Sequence, residues 1–207
     1  MILAKKGARV STILDGFRRL TDLSGRDRRG RFWPYALVVL ALAYVGMAAV
    51  MIPLTAGVFA EATAYAAANP DQATVVSGPG YYSVQIHDPE AIAMPDFGLV
   101  FTAVGIAAAL TVILLAAAVT RRLHDTGRAG WWGLPPVVFL TTGLLLFPRM
   151  MDQMMQSEAE APSMDLFFLL FANNLIYIIC LLGLIILLVL DGTKGPNRYG
   201  PPSDGPV

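Results

Sequence analysis

The sequence predicts an all-α membrane protein with four transmembrane helices, a short amphipathic interfacial helix before them, and a small extracytoplasmic loop subdomain. Three observations carry this prediction. The 207 residues are 56% hydrophobic, whereas about half of an ordinary soluble domain is apolar. Four long runs contain no Asp, Glu, Lys or Arg. The basic residues gather in alternate connections between those runs.

The four uncharged runs are long enough to cross a bilayer as helices. They contain 29, 24, 20 and 25 residues. The runs are Phe32–Ala60, Phe97–Thr120, Ala129–Pro148 and Leu166–Leu190. A hydrocarbon core of about 30 Å needs about 20 helical residues. Within a membrane domain 32–190 we therefore predict spans at about 33–56, 98–120, 133–148 and 166–190.

The third run predicts a membrane span less clearly than the fourth. The firmly apolar part of the third is only Gly133–Phe147, after two tryptophans and before a terminal proline. A tilted or partly re-entrant segment is therefore the alternative to a full crossing. The fourth holds 19 Leu, Ile, Val or Phe residues among 25, which outweigh the cost of Asn173 and Asn174 in lipid. We expect at least one of these asparagines to form an interhelical hydrogen bond.

The distribution of lysine and arginine predicts the orientation. Nine lie in the predicted N-terminal segment 1–31, three in 121–128 and two in the predicted tail 191–207. The predicted outer loops 57–97 and 149–165 hold none and one. The positive-inside rule then places both termini and the connection 121–128 in the cytoplasm. The N-terminal segment is too charged for a cleavable signal peptide, so the first span is expected to act as an uncleaved anchor.

A short amphipathic helix is predicted over residues 9–20. Its apolar residues recur at helical spacing: Val10, Ile13, Leu14, Phe17 and Leu20. Such a helix lies in the membrane interface with its apolar face toward the lipid. Packing on the inner loops is the alternative.

The first outer loop is predicted to contain its own secondary structure. Phe59–Ala68 is alanine-rich and should be helical up to Asn69-Pro70. Residues 73–76 and 81–86 flank a Ser-Gly-Pro-Gly turn and predict a β-hairpin. His87-Asp88 with Glu90 is too sparse for a metal site, and we expect no cofactor. The single cysteine, Cys180, lies in the fourth run, so no disulfide is expected.

Three polar motifs share the predicted cytoplasmic face. One runs from Gly25-Arg26 through Arg29 to Phe32-Trp33, the second is RRLHDTGRAGWW (Arg121–Trp132), and the third is GPNRYG (Gly195–Gly200). In their order and spacing they resemble the bacterial membrane family called domain of unknown function 805, over nearly the whole chain. The departures, Ala129, Pro34 and Pro201-Pro202, leave the motif cores intact. The resemblance implies a small multi-span inner-membrane protein without an established activity.

Topology accounts for most of the RRLHDTGRAGWW connection. Arg121 and Arg122 follow the second span, where the partial negative charge of a helix C-terminus favours cations. Gly127 and Gly130 permit a tight reversal. Trp131 and its neighbour belong at the depth of the headgroups. The pair His124-Asp125 is not required by topology and stays unexplained.

We expect the arginine and aromatic residues of this face to bind anionic phospholipid headgroups or a partner, because guanidinium groups suit phosphate. The candidate binding residues are Arg26, Arg29, Arg121, Arg122, His124, Asp125, Arg128, Trp131, Asn197, Arg198 and Tyr199. The competing interpretation is intramolecular and can coexist with binding. In it, the arginines pair with Asp22, Asp27, Asp125 and Asp191 and hold the inner end of the bundle together.

The sequence leaves two further functions open. A membrane enzyme could act on a phosphate-bearing lipid through His124 and Asp125 as an acid–base pair, but no nucleophile, metal cluster or phosphate-binding glycine loop accompanies them. A small-solute transporter or channel is the third class, although no span carries a charge. The lipid bilayer is the expected partner, with a homo-oligomer or another membrane protein as further options. No nucleic-acid partner is expected.

Overall fold

The computed structural model describes residues 11–88, 91–92, 97–156 and 164–202. This part of the chain forms five α-helices, a short 3₁₀ helix over Gly130–Gly133 and one hairpin. The helices are α1 (residues 11–18), α2 (Arg29–Ala68), α3 (Phe97–Asp125), α4 (Leu134–Gln156) and α5 (Met164–Val189). The strands are β1 (Ala73–Gly78) and β2 (Tyr81–Ile86). The first two residues of the predicted helix 9–20, Glu90, and parts of the predicted N-terminal segment, outer loops and tail lie outside the described residues.

Four of these helices, α2 to α5, are long and apolar enough to cross a membrane. Most of the side chains in their apolar stretches are not buried inside the protein. Exposed apolar surface on this scale suits contact with lipid, and a helix satisfies its backbone hydrogen bonds internally there. The predicted fold class, an all-α membrane protein with four spans, is confirmed.

Helix α4 runs continuously through the weakest predicted span. Its 23 residues correspond to about 35 Å at 1.5 Å per residue, enough for a full crossing rather than a re-entrant turn. It passes through Pro148 and ends at Gln156, so the predicted outer loop 149–165 begins with helix. Proline removes one backbone hydrogen bond from a helix, and here that loss does not end it.

Helix α2 is longer than its predicted span. It contains 40 residues, or about 60 Å, roughly twice the hydrocarbon core. It therefore extends from the predicted span 33–56 into the predicted outer loop 57–97. The predicted helix Phe59–Ala68 is confirmed, and it is the last part of α2 rather than a separate element.

The predicted β-hairpin is confirmed. Strands β1 and β2 pair antiparallel, from Ala73 opposite Ile86 to Gly78 opposite Tyr81. Pro79 and Gly80 form the turn, and Gly80 has φ +84°, the conformation that a type II turn requires after proline. The ring of Tyr82 lies 5.8 Å from that of Phe59 in an edge-to-face contact. The hairpin belongs to a compact unit that covers Tyr44–Val104.

The other compact unit combines the chain up to Ala43 with the chain from Gly105 onward. Its apolar core joins the start of α2, the end of α3 and the end of α5. The buried residues of this core are Phe32, Tyr35, Ala36, Val39, Ala118, Leu123 and Leu188. The Tyr35 hydroxyl donates a 2.7 Å hydrogen bond to the Leu114 carbonyl of α3. We call this end of the helices, with residues 11–31, 121–133 and 190–202, the charged end.

Helix α1 packs on the start of α2. The ring of Phe17 meets that of Tyr35 edge to face at 5.1 Å, and Leu20 packs on the same core. A Cβ at Gly16 would lie 2.3 Å from the Tyr35 ring, so only glycine permits this approach. Leu14 stays half exposed. Phe17 and Leu20 thus pack on the protein, and Leu14 remains available to the membrane interface.

Helices α4 and α5 are joined by a polar contact. Asn173 donates a 3.0 Å hydrogen bond from Nδ2 to the Phe139 carbonyl, which confirms the expected interhelical bond. A Cβ at Gly143 would lie 3.0 Å from the same Nδ2, so the small residue lets the amide approach. Asn174 instead bonds to Leu170 of its own helix at 3.0 Å.

We expect Asn173→Ala to lower the free energy of unfolding by about 0.6 kcal/mol, the average value of an interhelical hydrogen bond in a membrane protein. Asn174→Ala is the matched control and should change it less, because that amide bonds within α5. Unfolding by denaturing detergent in mixed micelles would measure both. Equal losses in the two variants would contradict this role for Asn173.

Candidate functional site

Five charged side chains are almost completely buried at the charged end. We call Arg26, Asp27, Arg121, Arg122 and Asp125 the buried charge cluster; none of their side chains is more than 5% exposed. The first two precede α2 and the other three lie in the last turns of α3. A buried ion loses several kcal/mol of hydration unless partners replace the water. The contacts of the cluster therefore decide what these residues can do.

The carboxylate of Asp125 lies between two guanidinium groups. Its Oδ1 accepts a 3.1 Å hydrogen bond from Nε of Arg26 and is 3.0 Å from Nη2 of the same residue. Its Oδ2 accepts a 2.5 Å hydrogen bond from Nη1 of Arg122. Arg26 and Asp125 are 99 residues apart in the chain, so this contact ties the start of α2 to the end of α3.

A second buried pair lies beside the first. Nε of Arg121 donates a 2.7 Å hydrogen bond to Oδ2 of Asp27, and the Asp27 amide donates to the Arg121 carbonyl at 3.1 Å. Oδ1 of Asp27 accepts no hydrogen bond from the described residues. Nη1 of Arg19 and Nε of Arg31 each lie 3.6 Å from it, so two further cations neutralise that oxygen.

The neighbouring residues Arg121 and Arg122 reach two different helices. Nη1 of Arg121 donates to the carbonyls of Arg19, at 2.9 Å, and Asp22, just after α1. Arg122 donates from Nε to the Leu188 carbonyl at 2.9 Å and from Nη2 to the Leu190 carbonyl. The last carbonyls of a helix lack partners and carry partial negative charge. The sequence predicts both arginines at the C-terminus of their own helix, and they lie in the last turns of α3. Their guanidinium groups, however, bind carbonyls at the end of α5 and in the turn after α1.

The predicted reversal after α3 is confirmed. Gly127 has φ +77°, its amide donates to the His124 carbonyl at 3.0 Å, and the Arg128 amide donates to Leu123 at 2.9 Å. These two bonds define a Schellman motif, which ends a helix at a residue of positive φ. A Cβ at Gly130 would lie 2.5 Å from the Thr120 side chain, so the second glycine allows the connection to pack closely on α3.

The chain after α5 closes over the buried cluster. We call residues 191–200 the tail segment. Arg26 donates to its carbonyls at Thr193 (2.7 Å), Gly195 (2.9 Å) and Gly200 (3.3 Å). A Cβ at Gly192 would lie 2.1 Å from Oδ2 of Asp125. Only glycine therefore fits where the tail segment crosses the carboxylate.

His124 contacts the tail segment rather than Asp125. Its ring stacks on that of Tyr199, with centroids 3.7 Å apart and planes 5° from parallel, and its Nδ1 lies 3.2 Å from the Gly25 carbonyl. Asn197 donates to the His124 carbonyl at 2.9 Å. The Asp125 carboxylate instead accepts hydrogen bonds from Arg26 and Arg122. Sequence neighbours have separate partners here, and the geometry gives no support to an acid–base pair.

The remaining predicted arginines lie toward the surface. We call these three, Arg29, Arg128 and Arg198, together with Lys194 of the tail segment, the basic rim. Arg29 is 49% exposed and pairs with Asp191, which is 82% exposed, and exposed ion pairs contribute at most about 1 kcal/mol. Arg128 is half-buried, and the other two members are exposed. Trp131 is 57% exposed and stacks on Trp132 with ring centroids 4.7 Å apart.

The structure thus divides the predicted site residues into two groups. It brings together Arg26, Arg121, Arg122, His124, Asp125, Asn197 and Tyr199, and it leaves Arg29, Arg128, Trp131 and Arg198 at the surface.

Arg19 is not among the predicted site residues, yet it pairs with Asp22 at 2.8 Å. Hydrogen bonds from Ser24 and from Arg19 hold the pKa of Asp22 well below its usual range. Arg19 and Asp22 are three residues apart, and this spacing was the sequence feature that could have predicted their ion pair.

Comparison with known proteins gives one family match. A family model described as "Protein of unknown function (DUF805)" matches residues 20–201, a range that includes all three polar motifs. No curated protein and no solved structure matches the chain.

We expect Asp125→Asn to lower the free energy of unfolding by about 3–5 kcal/mol, because two buried guanidinium groups would lose their counter-ion. Asp191→Asn removes an equal charge from an exposed pair and should cost at most about 1 kcal/mol. Thermal or denaturant unfolding in detergent would compare the variants. A small loss for Asp125→Asn would mean that the buried cluster does not hold the helices together.

Proposed function

As the chain belongs to the DUF805 family, whose function is unknown, we propose a role for it from its own geometry. The protein is a non-enzymatic, multi-pass protein of a bacterial cytoplasmic membrane with both termini in the cytoplasm. Its buried charge cluster organises the ends of the helices, and its basic rim binds the anionic headgroups of the cytoplasmic leaflet.

Charge distribution supports the orientation. The charged end carries eleven Lys or Arg residues against five Asp, whereas residues 32–120 contain no Lys or Arg. Cytoplasmic connections of membrane proteins are enriched in basic residues. Anionic lipids attract each basic residue near the surface by about 1 kcal/mol, within a Debye length of about 8 Å at physiological salt.

The division of the arginines is the observation that carries the binding role. Arg26, Arg121 and Arg122 already donate to carboxylates and to the carbonyls of other segments. Breaking these contacts to bind an external anion would leave buried charges unpaired. Among the described residues, Arg128 and Arg198 have no carboxylate partner, so their guanidinium groups can bind phosphate.

The tryptophan pair supports the same location. Trp131 and Trp132 follow directly after Arg128 and its turn, and both are about half exposed. Tryptophan prefers the headgroup depth, where the ring contacts acyl chains and the indole N–H contacts water. A basic rim beside these rings would therefore lie level with lipid phosphates.

A catalytic role lacks a comparable observation. Both oxygens of Asp125 accept hydrogen bonds from arginine, and the His124 ring is stacked on Tyr199. An acid–base mechanism requires the carboxylate to be within reach of the imidazole. The contacts of His124 and Asp125 therefore support a structural role for both residues. The basic rim is the better candidate for binding.

Cysteine labelling in a Cys180→Ala background would test the orientation. We expect Ser77→Cys to react with a membrane-impermeant maleimide in spheroplasts. Gly30→Cys and Lys194→Cys should react only after permeabilisation, because they lie at the charged end. Both Ser77 and Gly30 are exposed, so accessibility within the protein does not limit the reaction. Labelling of Ser77→Cys and Gly30→Cys from one side would contradict the proposed topology.

The binding role predicts selective retention of anionic lipid. We expect the wild type to retain phosphatidylglycerol over phosphatidylcholine in native mass spectrometry, and high salt to weaken the preference. The double variant Arg29→Gln, Lys194→Gln should lose about fivefold in affinity per charge, equivalent to about 1 kcal/mol each. Arg149→Gln removes an exposed cation of α4, within the predicted outer region 149–165, and serves as the control. A wild type without preference for phosphatidylglycerol would overturn the proposed function.

A further inference from the structure

Two arginines of the basic rim meet at one turn. Nη1 of Arg128 donates to the Thr126 carbonyl and Nη2 of Arg198 donates to the Gly127 carbonyl, both at 3.4 Å. These are long bonds near the limit of a hydrogen bond. A guanidinium has five N–H donors, so each arginine keeps most of its donors available. Within the described part of the chain, neither pairs with a carboxylate.

Aromatic stacking holds Arg198 in position. Its Cζ lies 4.7 Å from the centroid of the Tyr199 ring, and that ring stacks on His124 at 3.7 Å. A cation near an aromatic ring is stabilised by the ring quadrupole. Tyr199 is itself held by a 2.9 Å hydrogen bond from its amide to Oδ1 of Asn197. The guanidinium is therefore directed to the turn by contacts that leave its donors free.

We propose that Arg128 and Arg198 form a subsite for a phosphate group, and that docking of the tail segment assembles it. The phosphate belongs to a lipid headgroup or to a soluble phosphate compound. Two like charges at one turn repel each other, and a phosphate between them removes that repulsion while accepting several charge-assisted hydrogen bonds. This subsite rests on the proposed function for its location at the cytoplasmic surface.

Apart from the stacking of Tyr199 on His124, the tail segment is docked by polar contacts. Arg26 binds the carbonyls of Thr193 and Gly195, and Asn197 binds the carbonyl of His124. Residues 193–196 are exposed and bury no apolar side chain. Segments with few buried apolar contacts open locally at low free-energy cost. The tail segment therefore opens more readily than the helices that it covers.

Anion binding and tail docking are then linked. Arg198 reaches the turn only when the tail segment is docked, so a phosphate that bridges both arginines binds the docked form preferentially. Such a ligand stabilises the form that it binds, and the coupling is reciprocal. A ligand present at ten times its dissociation constant lowers the population of the open tail about tenfold.

Amide hydrogen exchange of residues 191–200 would test this in the full chain. One arm uses nanodiscs of phosphatidylcholine with inorganic phosphate, and the other uses nanodiscs that contain phosphatidylglycerol. We expect at least one of them to slow exchange in the tail segment about tenfold, with little change in α3 and α5. Slowing by inorganic phosphate assigns a soluble source of phosphate, and slowing by phosphatidylglycerol alone assigns a lipid headgroup.

Arg128→Gln should abolish the slowing, because half of the subsite is lost while the tail segment keeps its own arginine. Arg149→Gln is the matched control, since it removes an exposed arginine outside the basic rim and the tail segment and should retain the slowing. Unchanged exchange in α3 and α5 would establish that each variant is folded. The subsite is overturned if neither arm slows exchange, or if Arg128→Gln responds like the wild type.

The two proposals fail separately. Retention of phosphatidylglycerol by the wild type without any response of the tail segment would overturn the subsite alone. Loss of both the lipid preference and the tail response would overturn the proposed function as well.

Discussion

The carboxylate of Asp125 is the contact on which the charged end depends. It balances Arg26 and Arg122 in a place where none of the three side chains is more than 5% exposed. Arg26 links this carboxylate to the start of α2 and to the tail segment, and Arg122 links it to the end of α5. Because unpaired buried charges are costly, these segments are held to one arrangement. Gly192 is required where the chain passes this carboxylate.

The need to pair buried charges also divides the arginines of the charged end into two groups. The arginines that pair with Asp27 or Asp125 also donate to backbone carbonyls and have few donors left, whereas Arg128 and Arg198 each make one long hydrogen bond to the described residues. Both groups come from the same short motifs, so residue type alone does not distinguish them. The distinction arises from burial and from the partners that the folded chain supplies. It leaves the basic rim with available donors, and this is why the proposed anion binding is assigned to the rim.

The apolar runs predicted the four membrane helices because helix length and hydropathy are local properties. The hairpin was equally local, since Pro79-Gly80 between two β-prone segments specifies its turn. The helix ends were less predictable. Helix α2 continues to Ala68 and α4 continues past Pro148, because backbone hydrogen bonding persists after hydropathy falls. Hydropathy marks where side chains suit lipid, and it does not mark where a helix stops.

Sequence by itself determined the membrane class, the number of spans, the hairpin and the gathering of arginines between alternate spans, because each depends on residues close together in the chain. It also indicated that Asp27 and Asp125 could pair with those arginines. Only the tertiary structure decided which arginine meets which partner, since Arg26 and Asp125 are 99 residues apart and Arg121 and Asp27 are 94 apart. It likewise decided that Tyr199, and not Asp125, meets the His124 ring. Such pairings depend on how helix ends pack, which no local pattern encodes.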